Sequence, residues 1–414
     1  MDRQVLKQVL IDQRKLFEER ERIVDREVEL DWFLKGNEAV VISGIRRCGK
    51  STLLKILADR IGPPYIFVDF DDLRLVDFSI DDFPKIESLA LEMSGLDRPV
   101  YFLDEVQNVA SWDRWIADLY KKGIKVVVTG SNSKLLGPEI STHLTGRNKT
   151  LVMYPFSFRE FLDMNGSKPR PDPTTSEKDA IRSLFSSYLR KGGFPLVVKN
   201  DDILLSRQYL EDILNRDIIA RYKIRQIREL KEMIVYILTN SGSVIPISSI
   251  QKISGLKSPS TVARFMEYLV GAFLVFRVSR FDYSVKRQTP QKFYSADPSF
   301  LETSAFNTSD NLGKRLENIV AIELKRKGKE IYYHRVKREC DFIVKEGLKI
   351  SQAIQVTLSL DDPRVRKRET EGLEEAMRTY GLKEGLILTS DTMTVIDSEC
   401  GKITVRPIWE WLLD

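Results

Sequence analysis

Two short stretches hold the residue types that handle phosphate. GIRRCGKS at 44–51 fits the spacing G-x-x-x-x-G-K-[ST] and lies between an apolar run and a helical pattern. Gly44 and Gly49 let the backbone wrap an anion without Cβ clashes. Successive backbone N–H groups and the start of the next helix then form an anion site. Lys50 is expected at the β- and γ-phosphates of ATP and Ser51 on Mg²⁺. Arg47 and Thr52 complete the expected cofactor-binding set with Gly44, Gly49, Lys50 and Ser51. The second stretch, PVYFLDEVQ, ends an apolar run in Asp104-Glu105, 54 residues after Lys50. Asp104 suits a Mg²⁺ held through water, and Glu105 suits the base that polarises an attacking water. Adjacent acids are also what an ordinary solvated strand end carries.

KVVVTGSNS closes another apolar run with Thr129, Ser131 and Asn132. If these stand at the carboxyl edge of an open α/β sheet, where ligands bind, a polar side chain there can sense a γ-phosphate. Gly-Ser-Asn-Ser is equally good turn chemistry. Arg147 in HLTGRNK can neutralise transition-state charge, in its own chain or a neighbour's, or be a solvated surface arginine.

These groups need a scaffold, and the pattern supplies one. Residues 1–37 read as one or two amphipathic helices. AVVISG, YIFVDF (65–70), PVYFLD (99–104) and KVVVTG (125–130) read as strands alternating with helical stretches, which indicates a parallel sheet with crossover helices. LVMYPFS (151–157) looks like one strand more. Residues 175–240 read as helical, with a break at KGGFP (191–195). LVGAFLVF (269–276) is the longest apolar run and fits a buried strand; it is far short of the ~18 residues that span a bilayer. After Lys314 come a helix, strands at EIYYHRV, DFIVK and AIQVTL, a helix near 364–380, and strands at GLILTS and KITVRP. That is a second, smaller α/β unit.

Composition narrows the setting. The chain has 414 residues, 42% hydrophobic and 30% charged, an ordinary globular balance. At roughly 100–200 residues per domain it holds two to four domains. Cys48, Cys340 and Cys400 are too few and too scattered for a disulfide framework or a zinc cluster. With no basic-then-apolar leader at MDRQVLKQVL, a cytoplasmic protein without a membrane role is expected. The net charge of +5 is concentrated in 201–300, with fifteen basic against ten acidic residues. A local excess of that size is compatible with a nucleic-acid surface.

Taken together, GIRRCGKSTLL, FLDEVQNVASW, VVVTGSNSKLL, HLTGRNKTLVMYPFSFREFL and GGFPLVV resemble a family of prokaryotic, often archaeal, ATPases of the AAA+/STAND type. The resemblance covers roughly residues 35–200, and YLEDILNRDIIARYKI continues it. It implies an ATPase core with N-terminal helices (1–165), a helical lid (166–228), a winged-helix domain (229–300) and a C-terminal α/β domain of the PD-(D/E)XK, restriction-endonuclease-like fold (301–414). It also implies Asn132 or Ser131 as sensor, Arg147 as arginine finger, and Pro195 of GGFP near the nucleotide. Homo-oligomers are a further possibility.

The middle segment carries a helix-turn-helix pattern. Pro259 and Ser260 suit a helix start, and Val262, Phe265, Met266 and Leu269 form one apolar face. FLVFRVSRF then reads as a wing strand. Lys257, Arg264, Arg280 and Arg287 are the expected DNA contacts, to phosphate or base; such modules also bind protein.

In the C-terminal segment, Glu317, Asp341 and Gln355 fall where the resembling fold keeps its metal site. A metal-dependent phosphodiester cutter needs acidic oxygen ligands and usually a lysine. Here Gln355 brings no charge and Thr357 stands where the lysine is expected. The expectation is a degenerate site without nuclease activity. The leading function is a DNA-binding ATPase that couples turnover to conformational change or assembly. A nucleotide-dependent switch on a protein partner and an ATP-regulated nuclease are the alternatives.

Overall fold

The computed structural model describes residues 1–19, 23–132, 144, 146–282, 291–304 and 311–414. It divides into two compact units. One is Met1–Met153 with Gly271–Phe273; the other is Tyr154–Val270 with Leu274–Asp414.

The first unit is built on a parallel five-stranded sheet. Its strands are β1 (Ala39–Gly44), β2 (Tyr65–Asp69), β3 (Val100–Asp104), β4 (Val126–Gly130) and β5 (Asn148–Met153), in the order β2-β3-β4-β1-β5. Every residue of β1 and β4 is buried. Burial on both faces is why these strands read as unbroken apolar runs rather than alternating ones. Parallel neighbours need crossovers, and the helices Lys50–Ile61, Phe83–Ser94 and Trp112–Lys121 lie between successive strands.

Helix Arg3–Glu18 starts where Asp2 accepts hydrogen bonds from the N–H groups of Gln4 and Val5. Its buried residues Leu6, Val9, Leu10, Gln13 and Phe17 follow helical spacing. Gln13 does more than fill space. Its amide donates to Asp69 O at 2.9 Å, and its Oε1 accepts the Asp69 N–H at 3.0 Å. A side-chain amide thereby stands in for a neighbouring strand and blunts the open edge at β2.

The second unit carries a mixed six-stranded sheet. It comprises β8 (Glu330–Arg335), β9 (Glu339–Glu346), β10 (Lys349–Val356), β11 (Glu384–Thr389), β12 (Thr394–Ser398) and β13 (Gly401–Pro407), ordered β12-β13-β11-β10-β9-β8. β8, β9 and β10 are antiparallel; helix Pro363–Tyr380 makes the crossover to parallel β11. A separate antiparallel hairpin joins β6 (Val275–Ser279) to β7 (Gln291–Ser295). Helices Ile247–Ser254 and Pro259–Gly271 precede it, as the helix-turn-helix pattern anticipated.

Three local expectations shift. LVGAFLVF is not one strand: helix Pro259–Gly271 continues through Leu269, whose carbonyl accepts the Leu274 N–H, and only then does β6 begin. The apolar helical face and a strand happen to abut in sequence. The strand expected at 151–157 runs instead over Asn148–Met153. Pro155 cannot donate to a ladder, so the strand stops before it. β12 had no expectation; three of its five side chains are exposed and it lacks an apolar run.

The break at KGGFP is a packed corner. Gly193 N–H donates to Asp297 Oδ2 at 2.8 Å, and Phe156 N–H donates to Gly193 O at 2.7 Å. A Cβ on Gly193 would stand 2.3 Å from Phe156 O, so glycine is required there.

Candidate functional site

The carboxyl ends of β1, β3 and β4 converge on one edge of the parallel sheet. β1 stops at Gly44 and helix Lys50–Ile61 begins six residues later, with Gly49 as its N-cap at φ 99°. Gly44, Arg47 and Gly49 all have positive φ. Alternating left- and right-handed backbone turns successive N–H groups toward one point, a concavity suited to an anion. A Cβ on Gly44 would stand 2.1 Å from Met153 O, so the close pairing of β1 with β5 also demands glycine. Arg47 is not a glycine, and holding it at φ 69° stores strain of a kind that clusters at functional sites.

Lys50 is buried. Its Nζ donates to Gly44 O and Ile45 O, both at 3.1 Å, and stands 3.9 Å from Glu105 Oε1. Ser51 and Thr52 open the helix on its exposed side. The Ser51 hydroxyl hydrogen-bonds to Asp104. Arg26, which sequence reasoning passed over, reaches this loop from the N-terminal segment and donates to Cys48 O at 2.9 Å. No local pattern marks it, because its partner is a backbone carbonyl 22 residues away.

Asp104 and Glu105 end β3 in different environments. Burial and the neighbouring Glu105 charge push Asp104 above the usual carboxylate range, against hydrogen bonds from Ser51 and Thr129. Burial also opposes ionisation of Glu105. There Lys50, Gln107, Arg46 and Ser131 outweigh it, and the carboxyl is held below its ordinary value. Ionisation is thus favoured at Glu105 and opposed at Asp104. Asp69 ends β2 beside Asp104 and is pushed up to about 6, chiefly by burial. Ser51 and Asp104 could hold a Mg²⁺. A hydroxyl touching a buried carboxylate that lacks a full counter-charge fits a hard, oxygen-seeking ion.

Thr129 joins the two acids. Its hydroxyl donates to Asp104 Oδ1 and accepts the Glu105 N–H at 3.1 Å. That N–H belongs to a residue at φ 48°, so Thr129 helps hold a strained turn. Ser131 and Asn132 follow β4, buried at the same edge.

Other expected residues lie elsewhere. Arg147 precedes β5, and its carbonyl accepts the Ala39 N–H at the amino end of β1. It is exposed and lies over the Tyr120 ring at 5.6 Å. The loop after Gly44 is at the opposite end of that strand, so the structure does not bring Arg147 to the Gly44–Ser51 loop of its own chain. Pro195 belongs to the other unit and opens helix Pro195–Asn200. Lys257 and Arg264 are exposed, in the turn and on helix Pro259–Gly271. Arg280 is half-buried, 3.9 Å from Asp282, and Arg277 is paired bidentately with Glu267. Arg287 lies outside the described residues.

Glu317, Asp341 and Gln355 do come together, in a cavity of about 410 Å³ in the second unit. Lys292, a residue the sequence reading did not single out, is not part of the lining but lies buried against three of its acids. Its Nζ lies 3.1 Å from Glu317, 2.8 Å from Glu339 and 3.6 Å from Asp341. Burial works against its charge, but these acids prevail and hold the ammonium well above its ordinary value. Its alternation with Tyr294 on one face of β7 is the only signal the sequence held.

Residues 36–162 match the AAA domain family, and 182–311 match a domain family of unknown function. Uncharacterized protein MJ1544 of Methanocaldococcus jannaschii is 30% identical over 435 residues, covering 98% of this chain and 96% of its own. An uncharacterized protein of Haemophilus influenzae is 28% identical over 392 residues, covering 90% and 94%. Among solved structures, the Thermotoga maritima RuvB Holliday junction branch migration motor is 15% identical, with a TM-score of 0.29, covering 58% of this chain and 82% of that one. AMPPCP-bound DnaA from Aquifex aeolicus is 15% identical, with a TM-score of 0.24, covering 57% and 82%.

Thr129→Val keeps the side-chain shape and removes the hydroxyl. The Glu105 N–H and Asp104 each lose a buried partner, so unfolding in urea should show a loss of about 1–3 kcal/mol. Thr129→Ser, which keeps the hydroxyl, should lose clearly less. Equal losses in both variants would show that the bridge contributes nothing.

Proposed function

We propose, for a chain that belongs to the family of the Methanocaldococcus jannaschii protein and carries an AAA domain, that it binds and hydrolyses ATP with Mg²⁺ at the carboxyl edge of the parallel sheet. The observation that carries this reading is one constellation. A glycine-bounded loop, a helix N-terminus, buried Lys50 and the Asp104–Glu105 pair meet at the ends of β1 and β3. The loop and Lys50 take the phosphates, with Arg47 and Thr52 beside them. Mg²⁺, when bound, neutralises phosphate charge; Ser51 and Asp104 hold it. Glu105, its ionisation favoured by Lys50, orients the attacking water. Thr129 fixes the backbone that aims Glu105, and Asn132 or Ser131 senses the terminal phosphate. Arg147 faces away from its own loop and completes a neighbouring subunit's site in a homo-oligomer.

The second unit supplies the partner surface. Two helices followed by an antiparallel hairpin support a winged-helix reading of 229–300, after a helical lid at 166–228. Exposed Lys257 and Arg264 on the second helix and its turn are the contacts for DNA phosphates. Arg280 is a weaker candidate because Asp282 already lies beside it. The mixed sheet with its crossover helix supports a restriction-endonuclease-like reading of 301–414. Gln355 and Thr357 in place of acid and lysine favour a domain that does not cut.

Lys50→Ala should abolish ATP binding and turnover. Glu105→Gln should leave ATP bound while hydrolysis falls by roughly 10²–10⁴-fold, the range for a general base. Measured by nucleotide binding and phosphate release, normal turnover in either variant would place the site elsewhere.

Mixing Arg147→Ala chains with Glu105→Gln chains should restore part of the ATPase activity, because one mixed interface regains both groups. No rescue in demonstrably mixed assemblies would leave Arg147 as a surface residue.

Lys257→Ala with Arg264→Ala should weaken duplex binding and flatten its salt dependence by about two units of slope, one per phosphate contact. Unchanged affinity and slope would turn the helix pair into a protein-docking module.

A further inference from the structure

A buried cation is already paired with the acids that line the pocket around Glu317 and Asp341. Lys292 is 1% exposed and comes from β7, while its partners come from helix Asn311–Arg326 and from β9. Three carboxylates within 3.6 Å surround its ammonium. An acidic cluster alone says little; here a buried positive group from a different element sits inside it. A hard divalent metal would gather the same oxygens at 2.0–2.6 Å. The oxygens a metal would use are also engaged. Glu317 Oε1 accepts from Tyr294 Oη at 2.6 Å as well as from Lys292. Asp341 Oδ2 accepts the Val356 N–H at 2.9 Å. Gln355 Oε1 accepts the Asp341 N–H at 3.2 Å, and its amide donates to Glu369. Gly242 backs Glu317 so closely that a Cβ there would stand 2.9 Å from Oε2. Among the described residues, no group of three or more Asp, Glu, His or Cys is arranged to hold a metal.

We propose that Lys292 is the resident cation of this pocket. Its ammonium stands where the acids would otherwise gather a divalent metal, so the pocket takes no Mg²⁺ or Mn²⁺ while β7 is in place. The arrangement also ties the β6–β7 hairpin to the C-terminal sheet through charge rather than through apolar contact alone. One ammonium faces three carboxylates, and the remaining negative charge is eased by Arg335, 3.5 Å from Glu339, and by the backbone N–H on Asp341. This inference stands on the geometry of the pocket and does not need the nuclease-like reading of the fold.

The test is Mn²⁺ titration of the full-length, nucleotide-free chain followed by electron paramagnetic resonance. An Asp104→Asn background removes the carboxylate of the other site. The parent should bind no Mn²⁺ that depends on Asp341. Lys292→Met should gain one ion, bound at least ~100-fold tighter than any in the parent, through the freed oxygens. Asp341→Asn should remove that gain, and Lys292→Arg, which keeps a cation, should not show it. Lys292→Met should also melt lower than the parent in EDTA, and either Mn²⁺ or a compensating Glu317→Gln should restore the melting temperature. Asp341-dependent Mn²⁺ binding by the parent would overturn the proposal. So would a folded Lys292→Met that binds no ion, or an unfolded one that neither Mn²⁺ nor Glu317→Gln rescues.

Discussion

A buried ammonium must be surrounded by oxygen, and that constraint shapes both halves of this chain. Removing a lysine's charge from water costs several kcal/mol after relaxation unless acceptors replace the solvent. Lys50 meets the requirement with two loop carbonyls and the nearby Glu105 carboxylate. Lys292 meets it with three carboxylates. In the first case the acceptors belong to a loop whose N–H groups suit an anion, so the lysine sits beside a place where negative charge is welcome. In the second the acceptors are the acids themselves, and the lysine offsets part of their charge. The same physical demand is met by loop carbonyls and one carboxylate in one unit and by carboxylates alone in the other.

Strain and support lie side by side at the first site. Arg47 and Glu105 both hold left-handed backbone, a conformation that costs of order 1–3 kcal/mol each for residues with a Cβ. The elements around them can bear that cost. β1 and β4 are buried at every residue, and β3 at all but one. Thr129 on β4 bonds both to the Asp104 side chain and to the Glu105 backbone. A parallel sheet thus fixes a turn that its own residues would not choose, and the turn places two adjacent carboxylates in opposite settings, ionisation being favoured at Glu105 and opposed at Asp104.

The site edge was legible in the sequence where its chemistry is local. Gly44, Gly49, Lys50 and Ser51 lie within eight residues, and backbone sterics alone dictate why glycine and why there. Asp104-Glu105 stood out because they end a buried run, and burial on both faces writes itself as continuous hydrophobicity. The corner at KGGFP was visible as a break, though not its cause, an aspartate 104 residues away. β5 was misplaced by three residues because apolar character continues through Met153 into Tyr154 and Phe156 while hydrogen-bonding capacity ends at Pro155.

The amino-acid sequence by itself determined most of the elements, their order and the glycine-bounded loop before Lys50, since propensity, periodicity and turn sterics act over a few residues. Only the tertiary structure decided which side chains share a place. Strand order put β4 between β1 and β3 and so made Thr129 a bridge. Parallel pairing of β5 with β1 carried Arg147 to the amino end, away from Gly44. The β6–β7 hairpin delivered Lys292 to acids 25 to 49 residues further along. Contacts at such separations leave no period in the sequence, because their free energy is gained only after the chain has folded back on itself.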